Sequence, residues 1–198
     1  MRVLFSFTGG SGHFLPTAPF ARVLRERGHE IMYACQEGMV PTVVSAGWAA
    51  VASGGNTLRD PRARRPLAAV DRAAEESAIR RSFAGKIARE RTDRLLKLAG
   101  TWRPDLIVRD EVDFAGAVAA EVLGLRHAAV VVVAAGGFLR ADFVEEPLAA
   151  LRSEHGLDRS CNCGVLFHSR RANSVLDFCR GSHPRASAKL LEGSADLS

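Results

Sequence analysis

The stretch Met1-Arg-Val-Leu-Phe-Ser-Phe-Thr-Gly-Gly-Ser-Gly-His-Phe-Leu-Pro16 decides the fold. Its first part, Arg2 to Phe7, is apolar and β-prone, and it runs straight into the glycine loop Thr8-Gly-Gly-Ser-Gly12. After Pro16, the segment Thr17 to Arg27 carries Phe20, Val23 and Leu24 at helical spacing, and Gly28 is placed to end a helix. His29 to Ala34 then reads as a second strand. Strand, glycine loop, helix and strand in so short a span predict a parallel sheet wound by helices.

The alternation continues outward from this unit. Met39 to Ala46 reads as a short helix and Trp48 to Ala52 as a third strand. Asp71 to Leu98 is helical by composition. Pro104 to Asp110 is a strand entered through a proline, and Phe114 to Leu123 an Ala-rich helix ended by Gly124. Arg126 to Ala134 carries the valine run of a strand buried on both faces. Glu145 to Glu154 reads as another helix. The expected class is α/β, a Rossmann-like doubly wound parallel sheet over residues 1–157, followed by an irregular tail over 158–198. Three of the four cysteines lie in that tail, which does not share the Ala/Val/Leu/Arg idiom before it. Two readings of it stand open: a change of reading frame, and a natural flexible tail.

Composition narrows the function classes. The chain has 198 residues, 47% hydrophobic and 25% charged, which suits a globular domain with a sizeable core. Its longest apolar run, Ala128 to Phe138, is too short to span a bilayer and contains two glycines. The N-terminus lacks the look of a secretory signal, so a cytoplasmic protein without membrane partners and without a disulfide framework is expected. The net charge of +5 could point to nucleic acid. All of the excess sits in residues 59–103, with 13 Lys+Arg against 6 Asp+Glu. Those charges alternate in sign with only Phe83 and Trp102 as aromatics, which favours a solvated helix face over a nucleic-acid surface.

The glycine loop is where ligands bind in doubly wound sheets, outside the carboxyl ends of the strands. It does not match the dinucleotide fingerprint, because the third glycine position is Leu15 and no acid ends the second strand. Nor does a lysine follow the glycines as a P-loop requires. His13, at the mouth of the loop, suits a general base; a histidine that only caps or packs would show the same pattern. Asp110 ends a strand and could fix the tautomer of such a histidine, with Glu111 and Asp113 as competitors for that role and a solvated loop acid as the plain alternative. Cys161, Cys163, His168, Cys179 and His183 are metal-ligand types, but Cys-x-Cys without a second pair is poor zinc spacing, and no metal is expected.

Two blocks of these residues resemble a known family. Met1 to Phe5, Gly-Ser-Gly-His-Phe-Leu-Pro at 10–16 and Ala-Arg-Val-Leu-Arg-Glu-Arg-Gly-His-Glu-Ile at 21–31 are similar to the N-terminal domain of actinobacterial GT-B glycosyltransferases. So are Pro104-Asp-Leu-Ile-Val-Arg-Asp110 and Ala-Ala-Glu-Val-Leu-Gly-Leu at 119–125. These are nucleotide-sugar-dependent enzymes that decorate macrolides and other natural products. Together the two blocks are specific; either alone is common.

The resemblance implies that this half binds the acceptor, a macrolide, polyketide or aromatic aglycone. It implies His13 as the base and Asp110 as its partner acid. It places Gly10, Ser11, Gly12 and Phe14 against the substrates, with Gly136 and Phe138 shaping the acceptor pocket. No cofactor is implied beyond the nucleotide sugar itself. The His-x-Gly-x-Gly-Thr-like donor motif of the family's other half does not occur in these 198 residues. The expectation is therefore a truncated acceptor half with little activity alone. The alternative is a non-catalytic binding module that pairs with a separate donor-domain chain.

Overall fold

The computed structural model describes residues 1–56, 69–132, 141–158 and 178–179. Its centre is a sheet in the order β3-β2-β1-β4-β5-β6. The strands are β1 Arg2–Ser6, β2 Glu30–Cys35, β3 Ala49–Ala52, β4 Leu106–Asp110, β5 Arg126–Val130 and β6 Phe178–Cys179. The first five run parallel. Among the described residues only β6 is antiparallel, pairing Cys179 with His127 and Phe178 with Ala128. The helices are α1 Ser11–Phe14, α2 Ala18–Glu26, α3 Val40–Ser45, α4 Arg72–Ser77, α5 Ala88–Trp102, α6 Phe114–Val122 and α7 Ala141–Glu154. Among the described residues no helix is long and apolar enough to cross a membrane.

Strand β1 shows why the sheet is wound on both faces. Its side chains alternate, and both sets are apolar. Val3, Phe5 and Phe7 join Ile31, Tyr33, Val43, Trp48 and Ala21 in one buried cluster, under α2 and α3. Leu4 points the other way, to Ile107, Leu95, Ala115 and Ala119 under α5 and α6. A strand buried on both faces must be central, and β1 pairs with β2 on one side and β4 on the other. Beyond β1 the chain order of the strands reverses direction. Such a switch point opens a crevice at the carboxyl ends of the two central strands. The loops after β1 and β4 therefore face each other there.

Local chemistry accounts for departures from the expected boundaries. Helical structure starts at Ser11, not after Pro16. The turn Leu15–Thr17 is a 3-10 helix with Pro16 in its first turn. A proline is accepted there because its missing N–H would have no helical partner. The expected strand from Arg126 to Ala134 ends at Val130, and residues 133–134 lie outside the described residues. Helix α7 begins earlier than Glu145 and carries Pro147 in its interior.

Between α4 and α5, Ala78–Ile87 forms a π-helix. Its wider turn brings Ile79 and Ala84, five apart, into one buried cluster with Phe114, Val118, Val144 and Leu151. On the surface of the basic segment Arg89 pairs with Glu154 at 2.7 Å and Arg94 with Glu90 at 3.3 Å.

Helix α5 ends at Arg103, whose φ of 52° is left-handed for a side-chain-bearing residue, just before Pro104. That conformation costs about 1–2 kcal/mol, of which glycine's extra freedom in the unfolded chain offsets about half. Arg103→Gly is therefore expected to stabilise the chain by ~0.5–1 kcal/mol, read as a raised midpoint in thermal unfolding; a lowered midpoint would contradict this account.

Candidate active site

The loops at the switch point bring His13 and Asp110 together across 97 residues of sequence. His13 Nδ1 lies 3.1 Å from Asp110 Oδ2. The Asp110 carboxylate is fully buried, while the His13 side chain keeps 25% of its surface exposed at the crevice. Asp110 also accepts the Thr8 N–H at 2.9 Å on the same oxygen. Its other oxygen accepts the N–H groups of Val112 at 2.8 Å and Asp113 at 2.7 Å. This is an Asx-type turn, in which a side chain binds the backbone two and three residues on. The carboxylate is therefore fixed by the backbone of both loops before it meets the histidine.

The neighbouring acids have other partners. Glu111 Oε1 accepts the Val132 N–H at 2.9 Å. Asp113 is buried and accepts hydrogen bonds from the hydroxyls of Ser6 and Thr8. It also meets the Arg91 guanidinium as a fork, Nε to Oδ1 at 3.3 Å and Nη2 to Oδ2 at 3.2 Å. The reading of these acids as solvated loop residues is thus overturned for Asp110 and Asp113.

Arg91 corrects a second expectation. It lies in the basic segment taken for a solvated face, yet it is 0% exposed. Its guanidinium reaches the ends of three strands: Ser6 Oγ at 2.9 Å, the Ala34 carbonyl at 3.4 Å and Ser53 Oγ at 2.7 Å. The signal was present in the helix pattern. Ala84, Ile87, Ala88, Leu95 and Ala99 form a buried stripe, and Arg91 sits on it. Room for it comes from Gly55, which has a positive φ. A Cβ on Gly55 would lie 2.7 Å from Arg91 Cδ.

Gly9 is a further residue the sequence did not single out. Its φ is +132°, and a Cβ there would lie 2.3 Å from His13 Cδ2. The imidazole is packed onto bare backbone. Ser11 and Gly12 stand exposed at the rim, with Gly10 partly exposed behind them. Phe14 is a correction. Expected to touch substrate, it is only 2% exposed and packs its ring 5.8 Å from Phe7 and 5.3 Å from Tyr33. An apolar ring one residue past the histidine gains more from the core than from the crevice. Gly136 and Phe138 lie outside the described residues, as do most of the cysteines and histidines of the tail. Among the described residues no cluster of three His, Cys, Asp or Glu could hold a metal ion.

The electrostatics follow from this geometry. The hydrogen bond to Asp110 raises His13 above its ordinary 6.5; burial works against it, and the charges of Asp110, Glu111 and Asp113 add to it. For Asp110, burial and the nearby Asp113 charge push the carboxyl up, against the pull of His13 and Thr8. Both directions mean that the proton between them is held tightly. Burial would also raise Asp113, but the Arg91 charge, the Ser6 hydroxyl and Arg109 together bring it below the usual carboxylate range.

The family model for the N-terminal domain of erythromycin biosynthesis protein CIII-like proteins matches residues 22–158, more than two thirds of the chain. The chain belongs to this family. The matched span holds Asp110, Asp113 and Arg91 and begins after His13. Among curated relatives, the 10-deoxymethynolide desosaminyltransferase of Streptomyces venezuelae is 32% identical over 151 residues, 66% of this chain and 35% of that protein. The tylactone mycaminosyltransferase of Streptomyces fradiae is 29% identical over 149 residues, 65% of this chain and 33% of the relative. The chain thus spans about a third of the length of the curated relatives it matches. Among solved structures, the Streptomyces sp. SF2575 glycosyltransferase SsfS6 superimposes with a TM-score of 0.66 at 26% identity, over 79% of this chain and 47% of that one. Family membership agrees with the resemblance read from the sequence.

Two measurements check the site. NMR titration of the His13 ring should give a midpoint above 6.5, and Asp110→Asn should lower it; an unmoved midpoint would refute the pairing. Because the folded state holds this proton more tightly, the pair's contribution to stability is complete below pH 6.5. It fades as pH rises through the higher folded midpoint of His13. Gly9→Ala should displace the imidazole, seen as changed His13 ring shifts, and lower stability by at least ~1 kcal/mol from its positive φ alone.

Proposed function

We propose that residues 1–157 form the acceptor-binding half of an inverting, nucleotide-sugar-dependent glycosyltransferase, with His13 as the general base. The observation that carries this reading is the 3.1 Å contact of His13 Nδ1 with buried Asp110 at the switch-point crevice. With Nδ1–H donated to Asp110, Nε2 keeps its lone pair for a proton from outside. An acceptor hydroxyl in the crevice passes its proton to Nε2. Its oxygen then bonds the anomeric carbon of the sugar, and the bond to the diphosphate oxygen breaks with its electron pair. Attack opposite the leaving group inverts the anomeric centre. Asp110 stabilises the imidazolium that forms.

The rim supports the reading. A methyl group at Gly12 would meet nothing within 4 Å, so the chain itself gives no reason for glycine at this helical position. Alanine is the better helix former. A ligand that approaches the backbone closely would account for the choice. SsfS6 has also been solved with thymidine diphosphate, at 25% identity and a TM-score of 0.63 to this chain. We take a thymidine-diphosphate sugar as the donor and a hydrophobic aglycone as the acceptor. On this reading residues 1–157 position the acceptor side, and positioning both reactants supplies much of the rate in a two-substrate reaction.

Calorimetry of the 198-residue chain with macrolide, polyketide and aromatic aglycones, and separately with thymidine diphosphate, tests this. An aglycone should bind, with transfer from a thymidine-diphosphate sugar below detection. Binding of the nucleotide and of no aglycone would overturn the acceptor assignment. Grafted in place of the matching third of the desosaminyltransferase, the chain should support transfer. His13→Ala should then lower kcat by roughly 10²–10⁴-fold while leaving aglycone binding intact.

A further inference from the structure

We propose that the buried Arg91–Asp113 pair is the positioning element of the site: Arg91 takes the charge of Asp113, and so leaves Asp110 as the one acid committed to His13. The inference rests on the reading of His13 and Asp110 given above. It stands on contacts of residues the sequence motifs did not include.

Asp110 and Asp113 are both buried, three residues apart, and joined twice. The Asp113 N–H donates to Asp110 Oδ1 at 2.7 Å. Thr8 bridges them, with its N–H on Asp110 and its hydroxyl 3.2 Å from Asp113. Two unpaired carboxylates so placed would not both stay ionised, because like charges in a buried site push one proton back on. Arg91 resolves this. Its fork on Asp113 is 0% exposed on both sides, and its remaining donors are taken by Ser6, Ser53 and backbone carbonyls. A guanidinium held in this way has no freedom to swing toward Asp110. The planar fork also fixes where the 110–113 turn sits relative to β1, and with it the oxygen that His13 meets.

Charges that reach His13 come from Asp110, Glu111 and Asp113, with Arg91 and Arg109 behind Asp113. This permits a test on the chain as it stands, by NMR titration of His13 with thermal unfolding alongside. Asp113→Asn leaves Arg91 uncompensated beside Asp110, so the His13 midpoint should fall by about half a unit or more. Arg91→Met leaves Asp113 uncompensated. Either the His13 midpoint rises or the Asp113 carboxyl titrates above the usual carboxylate range. The double variant Arg91→Met with Asp113→Asn removes both charges and should bring His13 back close to its starting midpoint.

If folded Asp113→Asn loses thermal stability but leaves His13 titrating as before, or folded Arg91→Met does so with both His13 and Asp113 titrating as before, the pair is structural only and the proposal is wrong. Should one single variant fail to fold, the other decides. The Asp110→Asn chain separates the two levels of the argument. An unmoved His13 there removes the dyad itself. A moved His13 there, with unmoved Arg91 and Asp113 variants, removes only this proposal.

Discussion

Two carboxylates, Asp110 and Asp113, lie fully buried at the end of β4, and the local structure is organised around satisfying them. An ionised carboxylate out of water must be hydrogen-bonded and paired, at a penalty otherwise of several kcal/mol. Asp110 draws three backbone N–H groups and the His13 ring. Asp113 draws two hydroxyls and a guanidinium. The donors come from β1 with the loop and short helix that follow it, from the turn after β4 and from α5. One need for compensation thus joins three elements that share no contiguous sequence.

The same requirement explains the glycines. Gly9 lets the imidazole approach bare backbone, and Gly55 opens the space over which Arg91 lies. Both have positive φ, where a Cβ is strained whatever the space around it. Rigidity follows from this arrangement. The acid is held from several directions, so the imidazole it meets is held as well.

Two helix features carry the scaffold to the site. The π-helix before α5 keeps Ile79 and Ala84 on the buried stripe that Arg91 continues. The proline turn at Leu15–Thr17 lets helical structure begin at Ser11, directly behind the glycines. Starting the helix there turns Phe14 into the core and leaves Ser11 and Gly12 on the rim.

The sequence by itself determined the alternating α/β class, the glycine loop, and His13 and Asp110 as candidates. These rest on periods of two and of about 3.6 residues and on turn chemistry, which are local free energies legible in any short window. Only the tertiary structure decided which of Asp110, Glu111 and Asp113 meets His13, that Phe14 leaves the site, and that Arg91 is buried rather than solvated. The reason is physical. A contact between residues 97 apart depends on the strand order that puts β4 beside β1. The fate of a charge, likewise, depends on whether a partner is waiting where the fold buries it. Neither has a local period. An arginine on an apolar stripe is the nearest the sequence comes to announcing it, and among 13 basic residues in that segment the signal is read only once the stripe is known.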